Sequence, residues 1–252
     1  RARAAADPRS IEALLDEARA AGEPARPFAV RLGAVAAAGD LAVVAEVKRR
    51  SPSRGALHAD LAPSATASAY EAGGAACVSV LTDEAHFGGS PADLRAARAA
   101  VALPVLRKDF TVDPRDVLDA RLMGADCVLL IAAALDDDEL HACHSMAAAV
   151  GIDALVEVHD EREAARAVDI GASLVGVNQR DLVTFEVDTA RAVRVAPTLP
   201  DAVVRVAESG ITGPGDAAVL AAAGYHAVLV GEHLVRAGDP ARAVTELRQA
   251  RS

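Results

Sequence analysis

From about Leu41 onward the chain repeats one unit: a short run of valine, leucine and alanine, then a longer stretch with helical spacing. Eight such pairs can be counted. The strand candidates are LAVVAEVK, ACVSVL, PVLRK, DCVLLI, DALVEV, SLVGVN, AVVRVA and HAVLVG. Between them, PSATASAYEAG, PADLRAARAA, PRDVLDARLMG, DDDELHACHSMAAAVG and EREAARAVDIG place apolar residues three and four apart. Gly73, Gly124, Gly171 and Gly224 precede the next strand, where a left-handed C-cap would stop the helix. Parallel neighbours cannot be joined by a tight turn, so strict alternation requires helical crossovers, and eight units can close on themselves. The expected class is α/β, a (β/α)8 TIM barrel with an extra N-terminal helical segment, and 252 residues match its usual length. An open doubly wound sheet is the alternative, and the missing GxGxxG after the first strand counts against it. Residues 1–252 read as a single barrel domain with 1–40 as its extension. SIEALLDEARAA, from Ser10 to Ala21, predicts an amphipathic helix, followed by a Pro-containing connector and lying across the barrel.

In such a barrel the chemistry sits at the carboxyl ends of the strands. Those ends carry Glu46 and Lys48, Lys108, Glu157, Asn178 and Glu208. Glu46 and Lys48 are two apart, so both point to one face. Of the 26 basic residues only Lys48 and Lys108 are lysines. Arginine stays protonated, whereas a shielded lysine can serve as acid, base or nucleophile. Two cations and three carboxylates inside a barrel are costly unless paired or used; an ion-pair layer at the rim is the structural alternative to an active site. AESGI and LVGEHL put Gly210 and Gly231 at turns after strands 7 and 8, where backbone N–H groups can hold a phosphate. Lys48, Lys108 and Arg180 would then form a local cationic pocket facing an anion.

Bulk properties narrow the partners. A net charge of -10 argues against nucleic acid or an anionic membrane surface. No apolar run approaches the roughly 18 residues that span a bilayer, and RARAAADPRS has no apolar signal core, so cytoplasmic residence is expected. Cys77, Cys127 and Cys143 lack CxxC spacing and read as reduced, buried residues. His141 and His144 lack a carboxylate-rich setting, so no metal site is expected. With 52% hydrophobic residues and 2% aromatics, the core should be built of small aliphatic side chains.

AEVKRRSPSRG, FGGS from Phe87 to Ser90, PVLRKDF, GADCVLLI, LVEVHD, GVNQRDL with TFEVD after it, VAESGI and VLVGEHLVR follow one another in order. On these segments, from about Leu41 to Pro240, the chain resembles the indole-3-glycerol phosphate synthase family. The resemblance implies ring closure of 1-(2-carboxyphenylamino)-1-deoxyribulose 5-phosphate with loss of carbon dioxide and water, using no metal or organic cofactor. It implies that Lys108 is the general acid at the substrate carbonyl and that Glu157 and Glu46 serve dehydration and rearomatisation. Lys48 would bridge phosphate and reacting carbon; whether Lys48 or Glu157 protonates the leaving hydroxyl stays open. Asn178 and Glu208 would hold hydroxyls and orient the lysines, and Phe110 and Leu129 would wall the anthranilate ring. Ser51 and Arg180 would meet its carboxylate or the closed first loop, and Ser209, Gly210, Gly231 and Glu232 would mark the phosphate site. RRSPSRGAL, with Pro52 and Gly55, would form a lid. Two departures stand out: Gln179 occupies a position where Asn or Ala is frequent, and Glu232 with His233 one where Ser is frequent.

A Schiff-base aldolase on the same barrel, with Lys108 or Lys48 as nucleophile, is the rival enzyme reading. A phosphoribosylanthranilate isomerase would use a Cys–Asp pair, and no Cys ends strand 1. A phosphate-binding barrel without catalysis would not need both lysines and Glu157. The expected partner is a small phosphorylated substrate, and the expected state a monomer or weak homodimer.

Overall fold

The computed structural model describes residues 7–21, 23–52 and 55–251. Residues 1–6 of the amino-terminal stretch, and Ser53 and Arg54 of the expected lid, lie outside them. All eight expected strands form: β1 (Ala42–Val47), β2 (Cys77–Leu81), β3 (Val105–Lys108), β4 (Cys127–Ile131), β5 (Asp153–Val158), β6 (Leu174–Asn178), β7 (Val204–Glu208) and β8 (Ala227–Val230). They are parallel and close into a barrel, because β1 pairs on one side with β8 (Ala42 with Ala227) and on the other with β2 (Val44 with Cys77).

Alternation along each strand separates two apolar regions. Val43, Ala45 and Val47 of β1 join the larger region between strands and helices. Ala42 and Val44 belong to the smaller one inside the barrel, with Leu106, Leu155 and Val206 from β3, β5 and β7. Odd-numbered strands thus supply an aliphatic layer of four, Val44, Leu106, Leu155 and Val206. Two residues further along the same strands stand Glu46, Lys108, Glu157 and Glu208. The next odd-strand layer is therefore ionic.

The amino-terminal extension departs from expectation. Helix α1 (Ile11–Ala20) packs on the outside, against the helix Pro114–Met123, with Arg9 bound to Asp119. The segment read as a connector contains a second helix, α2 (Phe28–Ala37), started by Pro27. Phe28 and Leu32 of α2 are fully buried in the barrel's inner cluster. The backbone N–H of Ala29 donates to Asp153 at the start of β5. It is α2, not α1, that lies across the barrel, plugging the amino-terminal ends of the strands. Burial of Phe28 and Leu32 contributes about 2 kcal/mol each, and the one-turn spacing of Phe28, Leu32 and Ala36 was the available signal.

Gly124, Gly171 and Gly224 have the expected left-handed φ, between 78° and 91°. Gly73 does not: its φ is -74°, and the left-handed residue is Gly74 at 84°. Gly73 is required for space instead. A Cβ there would stand 2.3 Å from the carbonyl oxygen of Ala241 in the helix Pro240–Arg248.

The acidic run from Asp136 starts the helix Asp137–Ala149 with a capping box between Asp136 and Glu139. The three cysteines are buried and unpaired. Among the described residues no helix is long and apolar enough to cross a membrane, and no group of His, Cys, Asp and Glu could hold a metal ion.

Candidate active site

A cavity of about 1220 Å³ opens at the carboxyl ends of the strands. The residues expected to act on or bind the substrate all line it: Glu46, Lys48, Ser51, Lys108, Phe110, Leu129, Glu157, Asn178, Arg180, Glu208, Ser209, Gly210, Gly231 and Glu232. Its floor is apolar, with Leu129 and Ile131 from β4 and Leu229 from β8. Half-exposed Phe110 stands at the wall, and Leu182, Phe185 and Val187 come from the loop after β6.

The ionic layer is bonded around Lys108. Its Nζ donates to Oε2 of Glu157 at 2.8 Å and to Oε2 of Glu208 at 2.9 Å. Lys48 pairs with Glu46 at 2.5 Å. Glu46, Glu157 and Glu208 are all nearly inaccessible to solvent. Three carboxylates therefore share two ammonium groups in a buried space, one negative charge too many for a low-dielectric site. The excess is relieved at Glu208, which burial together with the neighbouring Glu157 raises to about 7 against the opposing pull of Lys108. Glu157 is also pushed up by burial, but Lys108, the amide of Asn178 and His159 outweigh this and hold it below the usual carboxylate range.

For Lys108, burial favours the neutral amine, yet Glu157, Glu208 and Glu46 outweigh it and raise its pKa. Lys108 therefore stands protonated, as a proton donor must, and the option of a shielded lysine acting as base or nucleophile is not favoured at this residue. The pocket is not a cationic basin either. Its walls carry Glu46, Asp83, Asp109, Glu157, Glu208 and Glu232 against Lys48, Lys108, Arg180 and Arg236, and Arg236 pairs with Glu232. The guanidinium of Arg180 is turned to the carbonyl of Phe185. Each strand-end lysine arrives with carboxylates on its own or an alternate strand, so the cations are spent locally.

Two glycines make room for this layer. A Cβ on Gly176 would stand 2.1 Å from Oε1 of Glu208, and one on Gly231 2.3 Å from Oε1 of Glu46. Gly231 is thus a space requirement of the Glu46–Lys48 pair as well as a turn residue; it N-caps the short helix Glu232–Arg236. On the facing turn, Ser209 and Gly210 are consecutive left-handed residues, with φ of 66° and 73°. A left-handed serine is uncommon and needs support. Buried Gln179 supplies it by donating from Nε2 to the carbonyl of Ser209 at 2.8 Å.

The loop after β1 forms a two-stranded ribbon, Arg50 pairing with Ala56 and Ser51 with Gly55. Its base is tied down by Arg49, which reaches both carboxylate oxygens of Asp93, and by Arg50, which donates to the carbonyls of Glu84 and Ala85. Ser51 and Pro52 are carried to the cavity mouth.

Sequence reasoning missed His159, Gly176 and the Arg107–Thr82–Asp109 cluster. In that cluster Asp109 accepts from Thr82, Arg107 and the backbone N–H of Phe110, fixing the turn that holds Phe110. The adjacency of Asp109 to Lys108 was a signal; nothing local marked Gly176.

The family model for indole-3-glycerol phosphate synthase matches residues 2–247. Curated relatives with that description include one from Parafrankia sp. (strain EAN1pec), 56% identical over 85% of this chain and 80% of its own length. Another, from Rhodococcus opacus (strain B4), is 50% identical over 97% of this chain and 91% of its own length. Among solved structures, thiamine phosphate pyrophosphorylase from Pyrococcus furiosus superposes with a TM-score of 0.62 at 17% identity, covering 84% of this chain and 95% of that one. At that identity the likeness is one of fold.

Proposed function

The chain belongs to the indole-3-glycerol phosphate synthase family of carboxy-lyases, and from that premise we propose how its own residues carry the ring closure. The observation that supports the reading best is the ionic layer itself: Lys108 held between Glu157 and Glu208, beside the Glu46–Lys48 pair, over an apolar floor.

The substrate's anthranilate ring lies against Phe110 and Leu129, and its phosphate reaches the turns at Ser209–Gly210 and Gly231–Glu232. Lys48 bridges the two ends. As the aromatic carbon attacks the carbonyl, negative charge develops on oxygen, and the ammonium of Lys108 is the donor that meets it. The carboxylates around Lys108 ensure that it enters the reaction protonated. That attack closes the five-membered ring, and loss of carbon dioxide from the attacking carbon restores the benzene ring. Expulsion of the hydroxyl then needs an acid, and rearomatisation needs a base. Held below its usual range, Glu157 is ionised before substrate arrives and suits the base. Lys48, held in place by its pairing with Glu46, is then the donor to the leaving hydroxyl; the ring proton taken by Glu157 and one proton from solvent restore the two lysines. Asn178 and Glu208 orient Glu157 and Lys108, and Ser51 and Arg180 meet the anthranilate carboxylate as the first loop closes.

A firmly protonated Lys108 is a poor nucleophile, which weighs against a Schiff-base route through that residue. Residues 1–252 act as one barrel domain with 1–40 as its extension, a monomer or weak homodimer in the cytoplasm without nucleic-acid partners. Conversion of the carboxyphenylamino deoxyribulose phosphate, followed by the fluorescence of the indole product, tests the reading. No product from the purified chain would refute it.

A further inference from the structure

Lys108 stands at nearly equal distances from Glu157 and Glu208, 2.8 and 2.9 Å. Two equivalent carboxylates around one ammonium would exchange a shared proton freely. Their surroundings, however, are unequal. Oε1 of Glu208 has no hydrogen-bond partner and rests against Gly176. Oε1 of Glu157 accepts from Asn178 at 3.0 Å and faces Nε2 of His159 at 3.6 Å. His159 does not line the cavity; it sits behind Glu157 with a side chain 12% exposed, and its Nε2 is buried without a hydrogen-bond partner. The other ring nitrogen, Nδ1, lies 3.1 Å from Oε2 of Glu163, the oxygen that also accepts from the backbone N–H of His159 at 2.7 Å. Glu163 is fixed in turn, because its own N–H donates to Asp160, the N-cap of the helix Glu161–Asp169.

We propose that His159 is a positioning residue for ring closure: anchored by Glu163, it aims Nε2 at Oε1 of Glu157, so that Glu157 stays the carboxylate and the shared proton stays on Glu208. The inference rests on the reading of Glu157 as the base. The charged groups facing the imidazole are Glu157, Glu163 and Arg191, whose guanidinium donates to the carbonyl of Asn178. Arg166, on the helix of Glu163, is turned away to the carbonyls of Ala132 and Leu135. Burial favours the neutral ring and Arg191 does too, but the two carboxylates outweigh them and raise the pKa of His159. With Nδ1 committed to Glu163, the proton gained on charging goes to Nε2, toward Glu157. A carboxylate that loses this partner binds its proton more tightly, so less of it is ionised and free to accept the ring proton as the pH falls.

The test compares the full chain with His159→Phe and His159→Gln, measuring kcat and KM for the carboxyphenylamino deoxyribulose phosphate from about pH 4 to about pH 8. His159→Phe keeps a ring without donors and should lower kcat roughly tenfold, leave KM within about twofold, and move the acid limb of the kcat profile to higher pH. His159→Gln, which can still present an N–H to Oε1, should recover part of that rate. Wild-type kcat and an unmoved acid limb in His159→Phe would overturn the proposal. Should His159→Phe fail to fold, wild-type kcat and an unmoved acid limb in His159→Leu, which also lacks a donor, would overturn it. Glu157→Gln serves as the control: if it is inactive while the His159 variants behave as wild type, only this inference falls, whereas full turnover in Glu157→Gln removes both readings.

Discussion

Gly231, just past the last strand, lies so close to Glu46 of the first that a Cβ on it would stand 2.3 Å from Oε1 of Glu46. The seam where the barrel closes is thus also where a proposed catalytic carboxylate finds its space. Nζ of Lys48 would be 3.0 Å from the same Cβ. Both contacts involve the ends of flexible side chains, which can move at small cost to folding but lose their aim. Gly231→Ala should therefore lower turnover by about tenfold or more while changing the thermal midpoint little. Wild-type turnover would show that the Glu46–Lys48 pair needs no such space.

Removing the cation of Lys108 has two separable consequences. Lys108→Met deletes the proposed general acid, and turnover should fall on the order of a hundredfold or more. It also leaves Glu157 and Glu208 buried without their ammonium, so both should hold protons at higher pH. Their pKa is then raised in the folded state, and the penalty is absent below the ordinary carboxylate value and grows as pH rises. Urea titrations should show a greater loss of stability at pH about 8 than at about 5, reaching some 3–5 kcal/mol. Equal losses at both pH values would contradict the buried pairing.

Glu208 makes the native enzyme itself pH-sensitive. Its pKa is about 7 in the folded chain against an ordinary 4.5, so the folded state binds more protons than the unfolded one across that window. Linkage then makes stability fall as pH rises from 4.5 to about 7. Glu208→Gln should remove this slope, gaining on the order of 1–3 kcal/mol relative to wild type between the two ends of the window. A constant difference between the two proteins would place the excess proton elsewhere.

Gly73 offers a test away from the site. A Cβ there meets backbone atoms of Ala241, which cannot rotate aside as a side chain could. Gly73→Ala should cost about 1–3 kcal/mol by forcing the helix Pro240–Arg248 outward, lowering the thermal midpoint without changing KM. An unchanged midpoint would show that this helix is free to shift.

Much of the fold was legible because it follows from local periodicity. Alternation fixed which residues of each strand face inward, so Glu46 and Lys48 could be put on one face without coordinates. Helix α2 was legible too, in the one-turn spacing of Phe28, Leu32 and Ala36, although the prolines around it suggested a connector. The left-handed turn after the helix Pro63–Ala72 was misplaced by one residue because GlyGly offers two candidates. Only the approach of Ala241 separates them.

By itself the sequence determined that eight parallel strands would present lysines and glutamates at their carboxyl ends, since side-chain direction and crossover topology are consequences of neighbouring residues. Which carboxylate would face which lysine was decided by closure. Lys108, Glu157 and Glu208 lie on β3, β5 and β7, and alternate strands meet only inside a closed barrel, in a layer of four. The protonation of that layer is likewise tertiary, because it depends on burial and on counting charges across the axis. Within the layer three acids face two ammonium groups, and His159 behind Glu157 adds its charge on that side alone, so the proton rests on buried Glu208.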